Sequence, residues 1–347
     1  MKILMFSPLF YPHIGGVEKH VMLLSEELIK YGHEISIITL KYEQNLPEFE
    51  IRNQIKIYRI TRNQSFNWFS ILKYKFLLKN ADIIHLHDFS TFIYWYLPFR
   101  FIYPFKKVYI TFHGYEGIIP IPKTILLMRF ISEYLTNGNI CVGEFITKWY
   151  KTNADIILYG GVDEELTNIV KNNKRPSAVF IGRLEKDTGI ITYINAMKIL
   201  KQNYGINIEV DVCGDGSLKD YIQKYVIENH LNINLHGFVE DPGSYIIKND
   251  FAFVSGYLSI LEAMINKKLV FSIYENDLKK DYLILFPSAN NINISSSPNE
   301  LADQIAYYYK NMEKAKSKIK NAYSFAKYQT WEKVANSYME LWGFKNE

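Results

Sequence analysis

The sequence predicts an α/β protein built as two halves in tandem, and three observations predict it. Short apolar runs alternate with helix-length segments from one end of the chain to the other. That alternation stops once, at the polar stretch 164–177, and then restarts. The chain has 347 residues, the length of two ordinary domains. Strands alternating with helices mean a parallel sheet with helices on its faces.

The elements follow in order. Ile3 to Phe6 is a short apolar run that ends in the loop 7–16, SPLFYPHIGG. Val17, Val21, Leu24 and Leu28 then recur at helical spacing, with Gly32 as the stop. Residues 35–39 read as the next strand, followed by 55–59, 83–87, 107–111, 140–142 and 156–159. The stretch 164–177, with Asn172, Asn173, Lys174, Arg175 and Pro176, reads as a linker. After it, strands are expected near 178–182, 208–213, 233–236, 251–254, 269–273 and 291–294. A last helix over 331–342 carries Trp331, Val334, Tyr338 and Leu341 on one face. The domains expected are 1–163 and 164–330, with 331–347 as a terminal helix. Such halves bind ligands at the carboxyl ends of strands, at a switch point or between domains.

Composition narrows the function classes. Hydrophobic residues make up 48% and charged residues 22%, which suits a protein with real cores. The net charge of +4 implies no polyelectrolyte partner, and no nucleic-acid recognition module is present. The charge is unevenly spread: residues 52–129 hold 12 Lys/Arg against 3 Asp/Glu, which suggests an anionic partner at one face. Cys141 and Cys213 lie in apolar runs and read as reduced core thiols. The N-terminus lacks the features of a signal peptide. The greasiest stretch, 89–105, is broken by Pro98, Arg100 and Pro104, too short for a membrane span. The expected location is cytoplasmic, with peripheral contact to the inner face of the membrane as an option.

Several short patterns bear on chemistry. Gly15 and Gly16 stand between a strand and a helix, either as a plain turn or as a close approach to a ligand at a helix start. The loop 182–189, GRLEKDTG, places Arg183 and Lys186 where a strand meets a helix. They either clamp a diphosphate or lie in a solvated loop with Asp187 or Thr188 capping the helix. In the segment 255–264 a helix is expected to begin at Ser259. Glu262 then completes a capping box with Ser259, or else accepts ribose hydroxyls. His85, His87 and His113 stand at adjacent strand ends, without Cys or acidic ligands at zinc spacing. Among them, His113, beside Gly114, is the best placed to touch substrate. No D-x-D, G-x-G-x-x-G, G-x-S-x-G or Walker A pattern occurs, so no metal or nucleotide cofactor site of those kinds is expected.

In order and spacing these segments resemble glycosyltransferase family four, the retaining group 1 enzymes. The segments are GGVEKH (15–20), DIIHLHD (82–88), TFHG (111–114), YGGVD (159–163), GRL (182–184), CGDGS (213–217), HGF (236–238) and LEAM (261–264). The resemblance implies a GT-B fold: two Rossmann-like domains facing across a cleft that holds the active site, with the last helix crossing back to the first domain. It implies transfer of a sugar from a nucleoside diphosphate sugar, with retention and without metal. It also implies roles. Gly16 lies near the diphosphate and acceptor, and the catalytic residues are His113, which contacts the donor sugar and assists the transition state, and Arg183, which binds the diphosphate. Gly237 and Phe238 hold the base, the amides of Tyr257, Leu258 and Ser259 hold phosphate or sugar, and Glu262 holds the ribose. Two positions depart from the family pattern. Thr188 stands where a lysine is usual, with Lys186 as a candidate substitute, and Ser255 stands where a loop glutamate is usual.

Aromatic residues interleave with Lys and Arg through 66–107. Such a pattern either fills a core or meets a membrane surface. The second option makes the acceptor a polyprenyl-linked or other lipid-linked glycan, with an anionic membrane surface as partner. Two other readings stand beside this one: a nucleotide-sugar 2-epimerase, which shares the two-domain architecture, and a catalytically silent glycan- or lipid-binding partner of a transferase, whose support is the loop glutamate missing at Ser255.

Overall fold

The structure is a computed structural model that describes residues 1–13, 15–61, 67–114, 117–163 and 175–344. The expected linker lies mostly outside the described residues, as does Phe66. The chain forms two compact units, one of Met1–Gly161 with Trp331–Glu347, the other of Val162–Thr330.

The first unit holds eight strands: β1 (Lys2–Phe6), β2 (Glu34–Lys41), β3 (Phe49–Arg52), β4 (Ile55–Thr61), β5 (Ile83–His87), β6 (Lys107–Phe112), β7 (Asn139–Val142) and β8 (Ile156–Leu158). Their order in the sheet is β3-β4-β2-β1-β5-β6-β7-β8. β1 and β5 are buried on both faces, as central parallel strands with helices above and below must be. The sheet is not wholly parallel, as the sequence led one to expect: β3 pairs antiparallel with β4. The two residues between them, Asn53 and Gln54, both have positive φ, 48° and 66°. That is the mirror-image turn whose twist suits a two-residue hairpin.

The helix Gly16–Lys30 buries His20, Val21, Leu24 and Leu28 on one stripe. It stops at Gly32, whose φ of 79° only glycine adopts freely. The terminal helix Trp331–Leu341 belongs to this same unit. It buries Trp331, Val334, Ala335, Tyr338 and Met339.

The second unit holds six strands, all parallel: β9 (Ala178–Ile181), β10 (Val210–Cys213), β11 (Ile233–Gly237), β12 (Phe251–Phe253), β13 (Leu269–Ile273) and β14 (Asn293–Ser295). Their order is β11-β10-β9-β12-β13-β14. The core stacks Tyr193 on Phe253, with ring centroids 5.2 Å apart, among Phe180, Phe251 and Phe271. Cys141 and Cys213 are buried free thiols, one in each unit, and burial pushes both up to about 12.

Each sheet has one switch point. In the first unit the chain leaves β1 toward β2 and returns to β5 on its other side. In the second, β10 and β12 flank β9. The crevice outside the carboxyl ends at a switch point is where open α/β sheets bind ligands. Gly16 follows β1 and the histidines end β5 and β6. Arg183 follows β9, and Tyr257 follows β12.

Candidate active site

In the second unit, two loops are stitched together by their backbones. Gly182 N–H donates to Cys213 O (3.2 Å), Leu184 N–H to Asp215 O (2.9 Å), and Leu218 N–H to Leu184 O (3.0 Å). The Glu185 carboxylate accepts from both the amide and the hydroxyl of Ser217, at 2.7 and 2.6 Å. Gly214 makes this possible, because a Cβ there would stand 1.8 Å from Gly182 O. The CGDGS segment therefore braces the loop that carries Arg183.

Arg183 is 61% exposed and donates to Asp187 at 2.7 Å. Asp187 is thus an ion-pair partner and not a helix cap. The Thr188 hydroxyl donates to Arg183 O and Glu185 O, which closes the turn instead of capping the helix Ile190–Tyr204. Lys186 is exposed on the same short turn, Lys186–Thr188.

Beside this loop, the helix Tyr257–Ile265 begins two residues before the expected start. Its N-cap is Gly256, in extended conformation, and the Ser259 hydroxyl donates back to Gly256 O at 3.0 Å. Ser259 is therefore inside the first turn, and the capping-box reading of Ser259 with Glu262 falls. The Tyr257 amide is occupied by the Tyr282 hydroxyl at 2.8 Å, and the two rings stack 3.9 Å apart. Leu258 and Ser259 supply the remaining first-turn amides, which have no intrahelical carbonyl. Ser255 is engaged in the fold. Tyr193 OH donates to Phe271 O, so the Ser255 hydroxyl, 3.0 Å away, donates to Tyr193 while accepting from Ile273 N–H at 3.3 Å. Gly237 has a φ of 69°, its carbonyl accepts from Gly214 N–H at 2.7 Å, and the Phe238 ring after it is exposed.

In the first unit the histidines do converge, and His20 from the first helix joins them. His87 Nδ1 and His113 Nε2 are 2.8 Å apart, and His20 lies edge-on to His113. Burial first, then the neighbouring histidines, hold His87 and His113 well below the usual imidazole range, so both are neutral. One of the two must donate to the other. His87 Nε2 is buried without a partner, and an orphaned acceptor is tolerated better than an orphaned N–H. His87 therefore carries its proton on Nδ1 and donates, which leaves His113 with Nδ1–H as a free donor. Among the described residues no group of three His, Cys, Asp or Glu side chains is arranged to hold a metal ion.

A second chain of bonds runs behind this pair. Trp342 Nε1–H donates to His85 Nδ1 (3.2 Å), His85 Nε2 meets Thr111 Oγ1 (2.8 Å), Thr111 meets Tyr338 OH (2.8 Å), and Tyr338 meets His20 Nε2 (3.0 Å). Arg129, buried, donates to Gly114 O at 2.7 Å and lies 3.8 Å over the Tyr150 ring, which pins the backbone just after His113. At Gly16 a Cβ would meet nothing within 4 Å, so the protein's own packing does not demand glycine there.

Two family models divide the chain between them: Glycosyltransferase Family 4 matches residues 14–166, and Glycosyl transferases group 1 matches residues 162–325. The chain belongs to this glycosyltransferase family. An uncharacterized glycosyltransferase of Methanocaldococcus jannaschii, MJ1178, is 26% identical over 98% of this chain and 99% of its own length. One subunit of the human phosphatidylinositol N-acetylglucosaminyltransferase is 28% identical over 50% of this chain and 37% of its own. Among solved structures, that of Staphylococcus aureus TarM, determined with UDP, superposes with a TM-score of 0.73 at 14% identity, covering 99% of this chain and 100% of the other. The α/β architecture expected from the sequence, of the GT-B type, is borne out.

In this glycosyltransferase the structure brings Arg183, Lys186, Gly237, Tyr257, Leu258 and Ser259 onto strand ends, loops and helix starts of one sheet, with Glu262 one turn further into the helix Tyr257–Ile265, and His113 and Gly16 onto those of the other. The reading of residues 66–107 divides. Trp95, Tyr96 and Phe99 are core, whereas Phe69, Phe76, Phe101 and Phe105 are exposed. Helix periodicity explains it for Phe69, Phe76 and Phe101, whose short helices turn one face to the sheet and the other to solvent, whereas Phe105 lies past the end of the helix Leu97–Ile102. Sequence reasoning missed His20, Thr111, Tyr338 and Trp342 as a connected set. Tyr338 stood out only as an apolar-face residue, and nothing in spacing links it to His20, 318 positions away.

Proposed function

We propose that this glycosyltransferase moves a hexose from a nucleoside diphosphate sugar to a glycan or lipid-linked acceptor, with retention of configuration and without a metal ion. The supporting observation is that Arg183 and the start of the Tyr257–Ile265 helix stand together at the switch point of the six-stranded sheet. A cation and free helix amides stabilise the charge that develops on a departing diphosphate. Arg183 and Lys186 hold the diphosphate with the amides of Leu258 and Ser259. Glu262 binds the ribose, and Gly237 and Phe238 hold the base. From the first unit, His113 offers its Nδ1–H to a donor-sugar oxygen, and Gly16 leaves room for substrate in front of a helix start.

The acceptor we favour is lipid-linked, used at an anionic membrane surface. Phe105 is 98% and Phe69 77% exposed, and Lys75, Lys79 and Lys107 in the same stretch are exposed too, while Lys73 is paired with Glu48 at 2.6 Å. Apolar rings among lysines suit a lipid interface. No helix among the described residues is long and apolar enough to cross a membrane. The human relative is named for adding N-acetylglucosamine to phosphatidylinositol, which is consistent with this choice.

The test is thermal stabilisation by UDP, GDP and ADP in the presence of a chelator, on wild type and Arg183→Ala. UDP comes first, because TarM was solved with it. A ligand at 100 times its dissociation constant adds about 2.7 kcal/mol. The expected result is a shift with one nucleotide that Arg183→Ala loses, followed by a product whose anomeric configuration, read by NMR, matches the donor. No shift with any nucleotide, or an inverted product, overturns the proposal. Flotation with anionic and with neutral vesicles tests the membrane part, and equal binding to both overturns it.

A further inference from the structure

We propose that Lys279 is a further diphosphate-binding cation of this site, beside Arg183 and Lys186. The inference rests on the reading above and deepens it by naming a residue of the leaving-group pocket outside the Arg183 loop.

Apart from Lys186, the Arg183 loop itself brings little positive charge. Arg183 is already paired with Asp187 at 2.7 Å, so the pair brings little net charge to a diphosphate. Thr188 offers only a hydroxyl, and that hydroxyl is bonded to two carbonyls of its own loop.

Lys279 lies on the helix Asp277–Ile284, which follows β13. The Asn276 side chain caps this helix by accepting from the Lys279 amide at 2.8 Å, which fixes the turn that carries the lysine. The ammonium donates to Ser255 O at 2.7 Å, one residue before the N-cap of the Tyr257–Ile265 helix. It therefore stands at the carboxyl end of β12. The loop that leads to it abuts the Arg183 loop. A Cβ on Gly189 would stand 2.0 Å from Ile273 Cδ1, and Thr192 Oγ1 donates to Glu275 Oε1 at 3.3 Å.

Lys279 has two partners among the described residues, the Ser255 carbonyl and the face of Tyr282 at 4.0 Å. Neither carries a negative charge. The half-buried ammonium has no carboxylate in hydrogen-bond reach among the described residues, and an anion that arrives would relieve the cost of withdrawing it from water. In the free protein burial pulls Lys279 down to about 8, against the opposing pull of Asp187. Of its three N–H donors, one is used on Ser255 O, which leaves two for phosphate oxygens. Tyr282, one turn further along, stacks on Tyr257 and bonds its amide, so the same helix shapes the helix start and supplies the charge.

The experiment measures dissociation constants by calorimetry, with chelator, for the nucleoside diphosphate that binds wild type and for its monophosphate. The variants are Lys279→Met, Lys279→Arg and Arg183→Ala, each checked for wild-type circular dichroism. Lys279→Met is expected to weaken the diphosphate about tenfold or more, as loss of a charge-assisted hydrogen bond does, and the monophosphate clearly less. Lys279→Arg recovers part of the loss. If Lys279→Met binds the diphosphate like wild type while Arg183→Ala does not, the inference is overturned and the transferase reading stands. Equal weakening of diphosphate and monophosphate marks a merely structural lysine and also overturns it. If wild type binds no nucleoside diphosphate, the reading itself fails and the inference with it.

Discussion

Replacing Tyr338 by Phe removes one oxygen from the middle of a buried chain, and the chain's direction sets the cost. The Trp342 indole can only donate, so His85 accepts at Nδ1 and carries its proton on Nε2. That proton goes to Thr111, the Thr111 proton to Tyr338, and the Tyr338 proton to His20 Nε2. Tyr338→Phe leaves the Thr111 hydroxyl without its acceptor and His20 without its donor, both fully buried. Each orphaned group costs about 1–3 kcal/mol, so the unit should lose about 2–6 kcal/mol. All five tryptophans, 68, 95, 149, 331 and 342, belong to the first unit, so intrinsic fluorescence follows its unfolding alone. For a unit of this size each kcal/mol lowers the melting temperature by about 2–4 °C. Adding Thr111→Val removes the stranded donor, so the double variant should be less destabilised than the two singles summed. A Tyr338→Phe loss under about 0.5 kcal/mol, or strict additivity with Thr111→Val, would refute the directed chain.

Other expectations follow from the same geometry. Gly214→Ala should destabilise the second unit by about 1–3 kcal/mol through overpacking against Gly182 O, and should weaken nucleotide binding by displacing the Arg183 loop; calorimetry and urea unfolding read both. Gly16→Ala has open space for its Cβ, so stability should hold while turnover falls, and unchanged turnover would remove Gly16 from the substrate path. His20 and His85 are pushed down to about 3 by burial. Between about pH 6.5 and 3 the unfolded chain binds protons that the folded one refuses, so first-unit stability should fall as pH falls through that window. A tryptophan-monitored unfolding midpoint that stays flat from pH 6.5 to 4 would contradict neutral buried rings.

The sequence by itself determined the succession of strands and helices, because apolar runs and helical spacing are local signals. Thirteen of the fourteen strands fall where apolar runs place them. The fourteenth, β3, is amphipathic and exposed, and its one local mark is the turn at Asn53 and Gln54. The loop glycines were legible too, but not their reason: Gly214 is held small by Gly182 O, a contact between loops 32 residues apart. Tertiary structure alone decided that Ser259 sits inside its helix, since Gly256 takes the extended N-cap position first. It also decided the partners of the buried polar groups. His20, Thr111 and Tyr338 each read as ordinary helix or strand residues, and hydrogen bonding joins them only after the terminal helix has packed on the first. Lys279 is the same kind of case. Its charge is written in the sequence, but its position at the end of β12 exists only because the sheet places β13 beside β12. Periodicity records which face of an element is buried; what that face meets depends on distances that sequence separation does not encode.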